Sequence, residues 1–456
     1  MGLTQRHICE HTPAISKFVS LGQVAPIDPA FPAVTCTSQS NYLTGKQPSD
    51  HGIVGNGWYN HELAEVNFWK QPNQTVQAPK IWHDLKRADS NFTCAKMFWW
   101  YNMYADVDWS ATPRPTYPAD GSKHFDIHTW PYDLRMALKA EFGEFPFATF
   151  WGPMAGKHSP AGKPEAASEW IADASKWIEQ QKQPVLNLVY LPHLDYNLQR
   201  LGPAHPDIAN DLQRIDRIVG ELIDFFEGRD VQVILLSEYG VTPVDQPIHL
   251  NRIFRERGWL AIKEEFGLER LDCGNSRAFA VADHQVAHVY LNDTSLENEV
   301  RALLERTDGV ASVWGQVEKR ANGIDHSRAG DLIVTSAENA WFTYYYWLDD
   351  TVAPDFARCV DIHRKPGFDP VELFKHSVYG SKARVMFKLL KKKLGFRMLM
   401  DVVPLDASLV KGSHGCRPRD HADWPILISK SNSLNSDTRL DSTEVYGVLR
   451  SHVLGA

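Results

Sequence analysis

Two short apolar runs of this chain stop abruptly at acidic residues, and that pattern restricts the folds open to it more than any other feature. PVLNLVYLPHLDY (Pro184 to Tyr196) and DVQVILLSEYG (Asp230 to Gly240) read as buried strands that run out at His193, Asp195, Glu238 and Tyr239. Between them, DIANDLQRIDRIVGELIDFFEGR carries apolar residues at helical spacing. The three segments together predict a β-α-β unit with a right-handed crossover. Strands apolar on both faces belong to a mostly parallel sheet with helices on each side, and open sheets of this kind bind ligands at the carboxyl ends of their strands. CAKMFWW, AHVYL, DLIVTSA and WPILIS supply further strands, with helices near Ala78 to Arg87, Pro164 to Gln180 and Leu296 to Arg306. The expectation is one α/β domain over residues 1–456. Segments 99–131, rich in Trp, Tyr, Pro and Asp and without a clear period, and 337–400 are expected as inserted caps.

The charge balance narrows the partners. A net charge of −8 over 456 residues argues against a nucleic-acid polymer, which requires a basic surface, but leaves room for one small phosphorylated molecule. The six cysteines are scattered and form no C-x-x-C pair, which argues against zinc fingers and a dense disulfide framework, and a reducing compartment is expected. No apolar run reaches bilayer-spanning or signal-peptide length, which predicts a cytoplasmic chain without integral membrane contact. Its oligomeric state is left open. KARVMFKLLKKKLGFR (Lys382 to Arg397) is basic and amphipathic; it reads as a solvated helix face, the alternative being contact with an anionic membrane or partner.

FPAVTCTSQSNYLTGKQPSDHGIVGN (Phe31 to Asn56) has the order of a strand exit, a polar turn and a helix start. A hydroxyl at a helix N-terminus can attack phosphorus while free backbone N–H groups hold the oxyanion. Taken alone, the residue pattern favours Thr35 as a helix cap. The run nevertheless resembles the nucleophile segment of the nucleotide pyrophosphatase/phosphodiesterase family of the alkaline phosphatase superfamily. The matching residues are Phe31, Pro32, Thr35, Thr44, Gly45, Pro48, His51, Gly52, Ile53, Val54 and Asn56, in register. The resemblance implies an alkaline-phosphatase-like fold, a Thr35 nucleophile, a phosphoryl-binding Asn56, and a two-zinc site that activates the hydroxyl and polarises phosphate.

The metal ligands that the resemblance implies are only partly present. LDYNLQRLGP retains Asp195 but has Gln199 at a histidine position. SEYG places Glu238 and Tyr239 where the family has Asp-His, and GSHGCRP supplies His414. The sequence begins MGLTQRHICEHTPAI, past the point of the family's first strand and its Asp, so the expectation is an internal start or a ligand that is not used. An oxygen-rich set moves the preference from Zn²⁺ towards Mn²⁺ or Mg²⁺. Asp361 and His363, and also His193, Asp283, His284 and His288, are candidate replacement ligands, each with a hydrogen-bonded loop or turn residue as the alternative. Arg114 and Lys123 are candidate contacts to a substrate phosphate or carboxylate, as are Asp283 and His284, with a proline-stiffened surface loop as the alternative for the first two.

The resulting expectation is a metal-dependent hydrolase of a phosphodiester, pyrophosphate or phosphomonoester acting through a covalent phospho-threonine. The alternatives are carbon–phosphorus cleavage of the phosphonoacetate hydrolase kind and a non-catalytic binder of a phosphorylated ligand.

Overall fold

A computed structural model of the chain describes residues 1–119, 122–376, 382–396, 398–431, 434 and 439–455. Residues 120–121, 377–381 and 397 of the expected insertions lie outside the described residues. The strands that organise the site are β1 (Gln23–Asp28), β2 (Cys94–Met97), β3 (Trp109–Pro113), β4 (Ile127–Trp130), β5 (Leu186–Val189), β6 (Ile234–Leu236), β7 (Ala278–Asp283), β8 (Val286–Leu291), β9 (Val310–Trp314), β10 (Leu332–Ser336), β11 (Ile426–Ser429) and β12 (Leu440–Asp441). The helices used below are α1 (Pro13–Ser20), α2 (Thr35–Thr44), α3 (Ala166–Lys182), α4 (His193–Leu201), α5 (Ile208–Glu227) and α6 (Lys382–Lys393).

The architecture is α/β, as the alternation of elements requires. Its pairing is more mixed than a mostly parallel sheet. One four-stranded sheet runs β4-β3-β2-β5 and a second runs β12-β1-β11-β6. β5 and β3 flank β2 in parallel, whereas β4 joins antiparallel to β3, and β11 is antiparallel to both its neighbours, β1 and β6. The expected β-α-β unit therefore divides: β5 and β6 edge different sheets, although α5 connects them as foreseen. A common apolar core joins the two sheets. Cys94, Met97 and Leu188 of one pack in the same apolar cluster as Ala25, Ile27 and Leu427 of the other. On another face, α1, α4 and α5 bury Ile15, Leu198, Ile215 and Val219 against Ile426 and Ile428.

β7, β8, β10 and β9 form a third sheet in that order. Every residue of β7, β8 and β10 is buried, which accounts for their continuous apolar runs. Trp341, Tyr344, Tyr345, Tyr346 and Trp347 complete its core. Segment 99–131, expected as an irregular cap, instead contributes β3 and β4 to the first sheet. IHTW alternates in burial as a half-covered strand does, whereas WSATP is buried at four of its five residues. Among the described residues, no helix is long and apolar enough to cross a membrane.

Candidate active site

α2 is an unusual helix for a core, since TCTSQSNYLT is mainly polar yet all ten of its residues are buried. Burying polar groups is tolerable only when each finds a partner. Ser38 donates to the Glu238 carbonyl at 3.0 Å, Tyr42 to the Ser237 carbonyl at 2.9 Å and Thr37 to the Ile53 carbonyl at 3.3 Å. The helix is thereby fixed against the exit of β6 on one side and the His51 turn on the other. It ends at Gly45, whose φ of 63° is the left-handed C-cap conformation that glycine adopts without steric cost.

Thr35 is not the cap. Val34 holds the N-cap position with no side-chain cap bond, and Thr35 is the first helical residue. Its hydroxyl lies 3.4 Å from the Tyr239 hydroxyl. The hydroxyl thus stands at the helix N-terminus, where the dipole favours negative charge.

Asn56 and Asp283 build the adjoining wall. Asn56 Oδ1 accepts from the Cys36 N–H at 3.1 Å, its backbone N–H donates to Asp283 Oδ2 at 2.7 Å, and its Nδ2 donates to Oδ1 at 3.1 Å. Its amide thus ties the start of α2 to the end of β7. Burial raises Asp283 to about 6, against these hydrogen bonds. His284 follows in the β7–β8 turn at φ 61°, its Nδ1 2.9 Å from Asp283 Oδ1, and its ring lies 3.8 Å from that of His414 and 3.6 Å from that of Phe368. His51 shapes its turn through hydrogen bonds with Asn41 and the Ile53 N–H, and burial depresses its pKa to about 3. Gly52, at φ 73°, leaves its carbonyl to Arg328 at 2.8 Å; a Cβ there would stand 2.9 Å from the guanidinium.

The expected metal ligands meet on the opposite wall. Asp195 and Gln199 share one face of α4, and Gln199 Nε2 donates to Asp195 Oδ2 at 2.7 Å. Tyr239 donates to Asp195 Oδ1 at 3.1 Å. His414 gives Nδ1 to the Ala33 carbonyl at 2.7 Å, leaving Nε2 3.9 Å from Asp195 Oδ1. Glu238 accepts from Gln39 Nε2 at 2.6 Å through Oε1, while its buried Oε2 has no hydrogen-bond partner. Burial drives Glu238 up to about 7, against the Gln39 hydrogen bond and the influence of the nearby Thr35 hydroxyl. Burial also raises Asp195 to about 6, against the Tyr239 hydrogen bond, and holds His414 neutral.

This donor set does not fit a two-metal centre. Both Asp195 oxygens already accept hydrogen bonds from neutral side chains, at the two positions where the resemblance implies imidazoles. Among the described residues, no three His, Cys, Asp or Glu side chains come together as an ion-holding group. The candidate replacements do not complete it. His193 opens α4 instead of extending a strand, so its side chain is not aligned with Asp195 and pairs with Asp211 at 3.0 Å. Asp361 is engaged by Arg364 at 2.7 Å, and His363 by the Phe68 carbonyl at 3.4 Å. His288 bonds to the Val54 carbonyl at 2.9 Å and accepts from the Gly330 N–H at 3.0 Å.

Arg114 is exposed, and its backbone N–H pairs with the Asp126 carbonyl at 2.8 Å. Lys123 rests over the rings of Tyr117 and Phe125 at 5.6 and 5.3 Å and feels the charge of Asp361. Tyr117 and Lys123 therefore lie near Asp361.

The residue overlooked in the sequence is Gln39. Its Oε1 accepts from the Trp100 N–H at 2.7 Å while its amide nitrogen donates to Glu238, linking the segment after β2 to the site. It stands four residues after Thr35 in α2, a helical spacing that puts the two on one face.

With this geometry in place, the comparisons with known proteins are decisive on family. The profile described as type I phosphodiesterase / nucleotide pyrophosphatase matches residues 2–369. The chain belongs to that family. A pyrophosphatase/phosphodiesterase of Schizosaccharomyces pombe, itself uncharacterised, is 24% identical over 251 residues, which span 51% of this chain and 42% of that protein. The chain thus aligns with less than half of that curated relative. Human ectonucleotide pyrophosphatase/phosphodiesterase 5 shares the fold with a TM-score of 0.58 at 16% identity, covering 100% of this chain and 92% of that one. Phosphonoacetate hydrolase from Sinorhizobium meliloti, in complex with phosphonoacetate, gives 0.58 at 15% identity, with 97% and 90% covered. The murine phosphodiesterase 5 structure, an inactive Thr-to-Ala variant with AMP, gives 0.56 at 15%, with 100% and 92% covered. Members of this family generally depend on divalent metal, so the neutral groups at positions 199 and 239 set this site apart from the arrangement that the resemblance implies.

Proposed function

We propose that the chain hydrolyses a small phosphate ester with Thr35 as nucleophile. The observation that carries this reading is the placement of Thr35 at the first position of α2, with Val34 in the cap position and the Thr35 hydroxyl beside Tyr239 and Glu238. Thr35 Oγ1 attacks phosphorus as its proton passes to Oε2 of Glu238, the phosphorus–oxygen bond to the ester oxygen breaks, and Glu238 returns that proton to the departing oxygen, which leaves as the alcohol. Water then hydrolyses the phospho-threonine, returning the hydroxyl to Thr35 and phosphate to solution. The α2 N-terminus stabilises the charge that develops on the phosphoryl oxygens. Asn56 acts here by fixing the Cys36 N–H and the end of β7.

The murine relative is inactivated by replacement of a threonine and binds AMP, which supports both the nucleophile and a small phosphorylated substrate. The six unpaired cysteines suit a reducing cytoplasm.

The test assays wild type and Thr35→Ala on bis-p-nitrophenyl phosphate, p-nitrophenyl phosphate and phosphonoacetate, with bound metal measured and with chelator, Zn²⁺ or Mn²⁺ present. Turnover of a phosphate ester that disappears in Thr35→Ala is the expected result. Thr35-dependent cleavage of phosphonoacetate alone would make the chain a phosphonate hydrolase. Absence of Thr35-dependent turnover under every condition would leave a binding protein.

A further inference from the structure

α6 is turned the wrong way for a solvated helix. Met386, Phe387, Leu390 and Leu394 fall within about 100° of arc at helical spacing, and they are 68, 57, 53 and 64% exposed. On the other side of the helix, Lys388 donates to the Leu399 carbonyl at 2.6 Å and pairs with Asp401. A polar side chain thus anchors the helix to the body while the apolar arc faces outward. Phe396, just past the helix end, is also 64% exposed. Contiguous exposed apolar surface of this kind is costly unless it meets a partner.

The charge pattern selects the partner. Residues 382–397 contain seven basic residues and no acidic one, in a chain of net charge −8. Lys391 lies 4.9 Å over the Phe387 ring, at the margin of the apolar arc. Lysine is depleted in the cores of protein–protein interfaces, whereas lysines flanking a broad apolar face are what an interfacial membrane helix carries, their stems in the apolar layer and their ammonium groups among headgroups. We propose that α6 and the turn after it form a surface for reversible attachment to an anionic lipid membrane. The apolar arc would insert at the headgroup–acyl boundary, with Lys391 and Lys393 meeting lipid phosphate or carboxylate. The acidic remainder of the chain would be repelled from the same surface, which fixes the orientation of the molecule. This proposal does not depend on the reaction at Thr35.

The test is co-sedimentation of the full chain with vesicles of phosphatidylcholine alone and of phosphatidylcholine mixed with phosphatidylserine, at low and high salt. Binding to the mixed vesicles that weakens with salt is expected. F387E/L390E should weaken it roughly tenfold or more by placing charge in the apolar layer. K391Q/K393Q should reduce the preference for phosphatidylserine while leaving the circular dichroism spectrum unchanged. Failure of wild type to sediment with either vesicle, or equal binding by F387E/L390E, overturns the proposal. It is equally overturned if wild type is a dimer that F387E/L390E converts to monomer with no lipid binding by either form, since the arc would then be covered by a second copy.

Discussion

Tyr239 and His414 lie face to face, ring centroids 3.6 Å apart and planes 7° from parallel. The stack explains how a site can keep its shape with an imidazole replaced. Tyr239 packs as a flat ring beside His414 and directs its hydroxyl to Asp195 at 3.1 Å, supplying a proton to an oxygen that would otherwise be buried and unpaired. Gln199 does the same for the other oxygen. Replacing both by histidine exchanges two proton donors for two nitrogen ligands. The expected outcome for Gln199→His/Tyr239→His is more bound zinc per chain than in wild type, measured by elemental analysis after dialysis. An unchanged zinc content would show that these two side chains do not occupy ligand positions.

Gln39 is expected to act on catalysis through Glu238. Gln39→Ala removes the donor at Glu238 Oε1 and the acceptor for the Trp100 N–H, leaving buried groups unpaired. We expect a stability loss of about 1–3 kcal/mol. A fall of roughly tenfold in kcat with little change in KM should accompany it, since the substrate is bound but Glu238 is no longer held in place. An unchanged kcat in a folded variant would remove Gln39 from the site.

A buried ion cluster lies in the segment 365–372. Lys365, fully buried, pairs with Asp369 and Glu372 at 2.7 Å each, and Glu372 also accepts from Trp151 at 2.6 Å. Lys365→Met leaves two carboxylates facing each other without a cation. Breaking one partner of a buried ion pair costs about 3–5 kcal/mol, and urea unfolding should show a loss of that order. A loss below about 1 kcal/mol would mean that the carboxylates find other partners.

Contiguity decided what could be read before the fold was seen. The register from Phe31 to Asn56 lies in one unbroken stretch, so Thr35 could be singled out from local order, while its release from capping required the position of Val34. Asp195 and Glu238 were visible as acidic ends of apolar runs. The assignment of β5 and β6 to one unit failed because periodicity reports that a segment is a buried strand and is silent about which sheet accepts it. His193 was misjudged for a related reason: the strand ends before Pro192, and a helix periodicity replaces the alternation that would have aligned His193 with Asp195. The bond between Asn56 and Asp283 and that between Trp151 and Glu372 join segments far apart in the chain and leave no local trace.

Lys96 gives the pH dependence of stability a specific source. It lies in β2, fully buried, and donates to the Trp100 and Tyr101 carbonyls at 2.8 and 2.9 Å. Both are neutral acceptors, so burial dominates and lowers its pKa from 10.5 to about 7. Between those two values the unfolded chain holds a proton that the folded chain has released, and stability therefore rises with pH through this window. Below about 7 both states carry the proton and the gain is absent. Integrated from pH 7 to 8.5, the linkage contributes roughly 1–2 kcal/mol. Lys80, lowered to about 8 by burial, adds a slope of the same sign, so the informative quantity is the difference from Lys96→Met. Urea unfolding of both proteins at the two pH values should show the wild type gaining more stability than the variant by that amount. Equal gains would mean that Lys96 keeps its proton in the folded protein, held by the two carbonyls against the cost of burial.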